Sequence, residues 1–321
     1  MTSSRKHLEI AQNINRQLER LIPITTPAGI ILGFLLPAVF INLRPLVPLL
    51  FGIMTFSGAL KLKAAEMGAS VKNPIPIALF FISAHIIMPV VSKLLVSLFI
   101  DDENILTGFI LVFASPTAVS SFFWVMIFKG DKALGLTLIL LDTMLAPIVV
   151  PGTLFILLGK TVAMDMTGIA ISLFLMVVLP TILGVGTNEI SRGKVPSIIS
   201  PYLDPVSKIC LILVIAANAS PLASKIQFND PLVWLTAIIC IALIVIGFII
   251  IYLFDILFKF KKDKGISLIL MGGLRNNSAA MTIAVTFFAN AAVSLPVIMS
   301  LIFQQTIAAF VGKLISKRYH S

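Results

Sequence analysis

The sequence predicts an all-α integral membrane protein with ten transmembrane helices, arranged as two inverted five-helix repeats in which two broken helices cross. Three observations lead to this prediction. The chain is 58% hydrophobic and only 12% charged, with a mean hydropathy of +1.07, whereas soluble domains carry about 25% charged residues. Apolar runs of about 20 residues recur along the chain, each long enough to cross a bilayer. Two of these runs are interrupted in the middle by glycine, proline and polar residues.

The distribution of basic residues fixes the predicted topology. The ten spans are predicted at residues 24–42, 45–61, 76–100, 104–128, 132–158, 166–187, 205–223, 231–258, 265–289 and 292–315. If the N-terminus is cytoplasmic, 18 of the 24 Lys and Arg residues fall in cytoplasmic segments and three in outer loops, with the other three inside spans. This asymmetry obeys the positive-inside rule. We therefore expect a multi-pass protein of the plasma membrane with both termini in the cytoplasm.

The remaining composition excludes several classes of function. The basic residues that orient the protein in the membrane and face anionic lipid account for the net charge of +10. The sequence therefore gives no reason to expect a nucleic-acid partner. Residues 1–23 lack the apolar core of a signal peptide, and their pattern predicts an amphipathic helix on the membrane surface. The two cysteines lie in apolar runs and form no metal-binding pattern. No hydrolase motif such as GxSxG or HExxH is present. We expect no enzyme activity, no cofactor and no metal site.

The two interruptions occupy the fourth span of each half. The first is centred on Pro116, and the second runs from Gly272 and Gly273 through Arg275. Irregular backbone at membrane depth persists only where protein or a wet cavity surrounds it, and paired interruptions in the two halves indicate the binding site of a secondary transporter. The alternative is that Pro116 only kinks its helix and that the glycines only ease helix packing.

Polar residues beside the interruptions are the candidate substrate ligands. The half-helices predicted to begin near Val119 and Asn276 would direct the positive ends of their dipoles at one point, which favours an anion. The candidate substrate-binding residues are Val119, Ser120, Ser121, Asn276, Asn277, Ser278 and Gln304. For Gln304, a hydrogen bond between helices is an equally good interpretation. The expected substrate is a small organic anion.

Three ionisable residues form a predicted charge network. A buried arginine costs roughly 2.5–3.5 kcal/mol on insertion scales, so Arg275 needs a partner, and Asp142 is the carboxylate expected to supply it. His85 adds an imidazole, a group that gains and loses a proton near neutral pH. Three alternatives remain open at this point. The network can be a static Asp142–Arg275 pair beside a neutral His85, a proton relay, or part of an uncoupled or otherwise coupled transporter.

Several runs resemble the bile acid:sodium symporter family. Residues 114–147 (ASPTAVSSFFWVMIFKGDKALGLTLILLDTMLAP) are similar to its fourth and fifth helices, and residues 51–63 with 83–89 (SAHIIMP) to its second and third. GGLRNNSAA, residues 272–280, stands where the family has its ninth-helix signature. The resemblance implies a panel domain (24–61 and 166–223) and a core transport domain (76–158 and 231–316). It also implies alternating-access transport of an organic anion, either bile-acid-like or a small carboxylate, by a monomer or weak homo-oligomer.

The chain departs from this family at the positions that bind sodium. Of the five residues aligned with the first sodium site, only Ser121 keeps its ligand type, and the others are Phe122, Gly135, Ile139 and Met271. The second site aligns with Met271, Gly272, Leu274, Arg275 and His85. A guanidinium repels a cation, so conventional sodium coupling is not expected and proton coupling becomes an option. The alternatives are an exporter or uniporter of the arsenite or auxin-carrier type, which would share the helix plan, and a channel.

Overall fold

The computed structural model describes residues 27–63, 73–159, 165–223, 229–288 and 290–320, so the predicted amphipathic segment 1–23 lies outside the described residues. Within the described ranges the chain is helical, and an isolated β-bridge joins Thr117 to Arg275. The described part of helix α1 is residues 27–35. The other α-helices are α2 Pro37–Phe40, α3 Val47–Ala59, α4 Pro74–Ile82, α5 Met88–Ser97, α6 Glu103–Ala114, α7 Ser121–Ile127, α8 Lys132–Leu158, α9 Met166–Leu173, α10 Leu179–Ser191, α11 Lys194–Ala219, α12 Pro231–Phe258, α13 Lys262–Gly273, α14 Asn277–Phe287 and α15 Ser294–His320.

Seven helical segments in the described ranges are long and apolar enough to cross a membrane. They are Pro37–Ala59, Pro74–Ser97, Lys132–Leu158, Met166–Ser191, Lys194–Ala219, Pro231–Phe258 and Ala291–Arg318. Glu103–Ala114 is a shorter apolar helix. Two of the ten predicted spans, 104–128 and 265–289, are each divided into two shorter helices. The described part of the chain is therefore helical, and the protein crosses a membrane several times.

Two predicted span boundaries are wrong. The loop expected between the first two spans is instead a 3₁₀-helix, Ile41–Leu46, which joins α2 directly to α3. Proline fits the first turn of a helix, and Pro37 and Pro48 occupy such positions here. The seventh span was predicted from residue 205, but α11 already begins at Lys194. It follows a turn at Arg192 and Gly193, which both have positive φ.

The described residues divide into two compact units. The first comprises 27–63 and 174–223, and the second comprises 73–173 and 229–320 with the gaps noted above. In the first unit, α3 packs against α10 and α11. Lys61 Nζ lies 2.7 Å from Asp204 Oδ2, and the Ser57 hydroxyl donates to Asp204 Oδ1 at 3.2 Å. Along the chain, the first unit resumes at Phe174, so the boundary between the two units falls inside the sixth predicted span.

The second unit contains both divided helices. Helix α12 packs against α13 and α15, and α8 packs against α6, α9 and α13. A π-helical turn, Ser83–Ile87, joins α4 to α5 and is closed by a hydrogen bond from the Met88 N–H to the Ser83 carbonyl. Such turns occur mostly as single insertions in α-helices and are frequent at functional sites. This turn carries His85.

Candidate substrate and ion site

The first helix break consists of residues 115–120. Helix α6 ends at Ala114 and α7 begins at Ser121. Proline has no N–H to donate and disfavours helical backbone in the residue before it, and Ser115 accordingly has extended backbone with ψ 147 before Pro116. The break therefore occurs where Pro116 predicts it. Val119 and Ser120 are exposed, whereas Thr117 and Ser121 are buried.

The second break consists of residues 274–276, and its position corrects the sequence prediction. Gly272 and Gly273 were expected at the break, but they form the last helical residues of α13. A Cβ atom at Gly272 would lie 2.6 Å from Ile251, and one at Gly273 would overlap the ring of Phe248. The glycines are thus required for close packing against α12. Leu274 has extended backbone, with φ −112 and ψ 132, and makes the actual break.

The two breaks contact each other through backbone and side-chain hydrogen bonds. The Asn276 N–H donates to the Pro116 carbonyl at 2.8 Å. The Thr117 hydroxyl lies 2.8 Å from the Met271 carbonyl oxygen and 3.1 Å from that of Leu274. These carbonyls belong to the last turn and C-cap of α13, where oxygens lack partners within the helix. Thr117 therefore supplies a donor that the end of α13 needs.

Asp142 binds His85 and Thr117, not Arg275 as the sequence led us to expect. His85 Nε2 lies 2.7 Å from Asp142 Oδ1, and the Thr117 N–H donates to Asp142 Oδ2 at 2.6 Å. The side chains of Asp142 and His85 are 0% and 6% exposed. Both carboxylate oxygens thus already have donors. No nitrogen of Arg275 lies within 4.0 Å of an acidic oxygen of the described residues.

Arg275 is 2% exposed and is held mainly by its backbone. Its Nη2 lies 3.4 Å from the Ala84 carbonyl, and Nη1 has no hydrogen-bond partner among the described residues. Its backbone N–H and carbonyl both bind the amide of Gln304, at 3.1 and 2.9 Å. The guanidinium therefore retains donors that can receive an anion.

The two consecutive glutamines of α15 each bind one break. Gln304 is buried, and its amide binds both the N–H and the carbonyl of Arg275. Its role as a substrate ligand stays a prediction, and the hydrogen bond between helical segments that was the alternative is present. Gln305 reaches the first break, because its amide donates to the Ser120 hydroxyl at 3.2 Å and accepts from Trp124 Nε1 at 2.9 Å.

The other predicted substrate ligands fall into two groups. Ser121 is fully buried, with its hydroxyl 3.1 Å from Met271 Sδ, and Asn276 uses its side chain to cap α14 by accepting from the Ala279 N–H. These two are already engaged. Val119 and Ser120 are exposed at the start of α7, although the Ser120 hydroxyl already accepts from Gln305. Ser278 is half-buried, and Asn277 Oδ1 has no partner among the described residues.

Thr117 is the residue whose role the sequence did not reveal. Sequence reasoning centred the first break on the preceding Pro116 and assigned Thr117 no contact. Its N–H and hydroxyl connect Asp142 to the carbonyls of α13. A small hydroxyl residue directly after the break-forming proline was the available signal, since side-chain donors commonly satisfy free carbonyls where a helix ends.

Comparison with known proteins identifies the family. The family model described as the Sodium Bile acid symporter family matches residues 47–229. The chain belongs to this family. It is 34% identical over 299 residues to the uncharacterized protein YbaS of Bacillus subtilis (strain 168), covering 92% of this chain and 97% of that protein.

More distant relatives carry transporter names. The probable sodium/metabolite cotransporter BASS3, chloroplastic, of Oryza sativa subsp. japonica is 26% identical over 238 residues, covering 73% of this chain and 56% of that protein. The uncharacterized sodium-dependent transporter YocS of Bacillus subtilis (strain 168) is 27% identical over 191 residues, 59% of each chain. The sodium bile acid symporter family, to which this protein belongs, is a family of secondary transporters.

The positions that the resemblance aligns with sodium ligands offer few free oxygen atoms in this structure. Sodium requires several oxygen ligands, but Met271 places a thioether against Ser121, and the carbonyls of Met271 and Leu274 face the Thr117 hydroxyl. Arg275 adds a buried positive charge at the same break. A second cation there would be repelled.

Proposed function

We propose that this protein is a secondary transporter of an organic anion that works by alternating access without conventional sodium coupling. The observation that carries the proposal is the meeting of two helix breaks around the buried Arg275, whose Nη1 has no partner among the described residues. Broken helices that meet inside a membrane protein are typical of transporter binding sites. A buried guanidinium with free donors favours an anionic substrate.

The arrangement of the whole chain follows from the same proposal. We infer ten membrane-crossing segments in two inverted five-helix repeats, with the four half-helices α6, α7, α13 and α14 forming two of these segments. The second unit then acts as the core transport domain and the first unit as the panel domain. Both termini lie in the cytoplasm of a cell whose plasma membrane holds the protein. The substrate is bile-acid-like or a small carboxylate.

The test is uptake by the purified full-length protein in proteoliposomes. The probes are radiolabelled taurocholate, pyruvate and succinate, and the first measurement is counterflow, in which an unlabelled anion inside drives entry of the labelled one. A carrier shows counterflow, whereas a channel does not accumulate label in this way. Lack of counterflow with every probe would contradict the assignment of the substrate class.

Sodium dependence is measured in the same vesicles. We expect uptake of the active probe to be equal in NaCl, KCl and choline chloride. The positions aligned with sodium ligands hold the Met271 thioether, carbonyls that face the Thr117 hydroxyl, and the Arg275 guanidinium. Saturable stimulation by Na⁺ alone would contradict this part of the proposal while leaving anion transport intact. Arg275→Gln alone is not expected to restore Na⁺ stimulation, since the Met271 side chain still offers no oxygen ligand.

A further inference from the structure

We propose that His85 and Asp142 form the proton-binding site that couples transport to a pH gradient; this inference rests on the proposed function. The imidazole Nε2 lies 2.7 Å from Asp142 Oδ1. A carboxylate bonded on both oxygens acts as an acceptor only, so Nε2 carries the hydrogen. In the neutral ring Nδ1 then holds the free lone pair, and Nδ1 is buried without a partner among the described residues.

The structure around His85 supports a role beyond packing. The residue lies in the π-helical turn Ser83–Ile87, and its ring stacks on Phe81 with centroids 5.6 Å apart. Asp142 connects it to the Thr117 N–H in the first break. The carbonyl of the neighbouring Ala84 faces the guanidinium of Arg275 in the second break. A change in charge at His85 therefore acts directly on both breaks.

The charged groups near this pair are few. Arg275 is the cation that faces it, because its guanidinium contacts the carbonyl next to His85. Lys93 on α5 is directed to the Leu157 carbonyl at 2.6 Å, and Asp255 on α12 lies one turn beyond Ile251, the residue that packs on Gly272. The remaining charged residues of the helices packed on this turn and on Asp142 lie in first turns: Glu103, Lys132, Lys262, Asp263 and Lys264.

Charge balance links the proton to the substrate. With His85 neutral, the charges of Asp142 and Arg275 cancel, and an arriving anion leaves one negative charge uncompensated in a buried site. Such a charge is costly. A proton on Nδ1 restores neutrality, so proton and anion each favour binding of the other by the same factor.

The proton step balances without any additional reactant. On the side from which the site is open, a hydronium ion gives its proton to Nδ1. One O–H bond breaks, one N–H bond forms and water is released. On the other side the N–H bond breaks and the proton returns to water. One proton thus accompanies one negative charge on the substrate.

The experiment imposes a pH gradient on proteoliposomes of the full-length protein after counterflow has identified an active probe. Taurocholate is preferred because its sulfonate stays ionised and does not cross lipid unaided, and protein-free vesicles are subtracted. With the membrane potential clamped, an acid-outside gradient of one pH unit should drive about tenfold accumulation. Counterflow that persists while the gradient has no effect would overturn proton coupling and leave the transporter assignment standing.

Variants test whether the His85–Asp142 pair causes the response of transport to the pH gradient. His85→Gln keeps a side-chain donor for Asp142 but cannot take a proton, so counterflow should weaken and the response of the remaining transport to the pH gradient should disappear. His320→Gln, at the end of α15, is the matched histidine control and should keep both. A gradient response that survives in His85→Gln would overturn the assignment of the site.

A second measurement requires no substrate and keeps the proposal testable if every probe fails. In protein with His7 and His320 both replaced by Gln, ¹⁵N-labelled histidine reports His85 alone. The ring should be the Nε2–H form in alkaline buffer and should gain a proton at Nδ1 on acidification. A ring that stays neutral throughout, or that carries its hydrogen on Nδ1, would overturn the proposal.

Discussion

The two helix breaks of the second unit differ in the chemistry that holds them. The first, residues 115–120, is fixed by a charged group, because the Asp142 carboxylate accepts the Thr117 N–H. The second, residues 274–276, is fixed by a neutral one, because the Gln304 amide binds both backbone polar groups of Arg275. Helix α7 after the first break has no side-chain cap at Ser120, whereas Asn276 caps α14 after the second.

Because of this difference, we assign a different role to each break. If His85 takes up a proton as proposed, the charge next to the Asp142 carboxylate that holds the first break changes. An amide does not titrate, so the second break keeps its geometry while presenting a permanent cation. Under the proposals above, a carboxylate next to a proton-binding imidazole and a fixed cation is suited to bind and release a charged substrate.

Removal of the Asp142 carboxylate should have the largest effect on stability. Asp142→Ala deprives the Thr117 N–H of its acceptor and leaves the buried Arg275 charge without its nearby counter-charge. Each of the two buried donors left without an acceptor, the Thr117 N–H and the His85 Nε2–H, costs about 1–3 kcal/mol. We expect loss of folded protein or a strongly lowered midpoint of thermal unfolding in detergent.

The matched control is Asp204→Ala in the first unit. Its ion-pair partner Lys61 is 53% exposed, so solvent can replace the lost contact. If Asp142→Ala is no more destabilising than Asp204→Ala, the carboxylate does not hold the first break.

A double-mutant cycle compares the observed partner of Asp142 with the expected one. The His85–Asp142 coupling should be about 1.5–3 kcal/mol, the range for a hydrogen bond to a charged group. The Arg275–Asp142 coupling should be smaller, because no direct salt bridge joins them. Each cycle combines the two single alanine variants and their double variant, measured by unfolding in detergent. A larger value for Arg275 would mean that the direct pair predicted from sequence forms after all.

Much of the fold could be predicted from the sequence because hydrophobic length and basic flanks determine where a helix crosses a membrane. The spans predicted at 132–158 and 231–258 correspond closely to α8 and α12. The start of the seventh span was wrong because α11 continues through Pro201 and Pro205 back to Lys194. Proline in membrane helices does not by itself end them.

The sequence indicated which residues belong to the candidate site, but not which side chains contact each other. Pro116 located the first break, and His85, Asp142 and Arg275 were identified as one network. Sequence could not show that the π-helical turn brings His85 to Asp142, since a one-residue change in helical phase decides which side chain reaches the carboxylate. Nor could it show that Gly272 and Gly273 serve helix packing, because glycine permits both a break and a close approach.

Removal of the Gln304 amide tests the neutral support of the second break. Gln304→Leu keeps the volume but leaves the N–H and carbonyl of Arg275 without partners in a buried position. We expect about 1–3 kcal/mol of destabilisation, the cost of unsatisfied neutral groups. Gln305→Leu is the neighbouring control and should cost less, because its contact with Ser120 is exposed. Equal unfolding midpoints for the two variants would contradict the assigned role of Gln304.

The smallest expected effect concerns the carboxylate of the first unit. Lys61→Met removes the 2.7 Å ion pair with Asp204 but leaves the Ser57 hydroxyl as a donor. Because Lys61 is about half exposed, the pair should contribute only about 0.2–1 kcal/mol, and added salt should reduce the difference between variant and wild type. Lys194→Met, which changes an exposed lysine at the start of α11, corrects for loss of a positive charge. If Lys61→Met lowers stability as much as Asp142→Ala does, and added salt does not change the loss, then exposure does not distinguish the two carboxylates. The contrast between the buried Asp142 and the solvent-screened Asp204 would then be wrong.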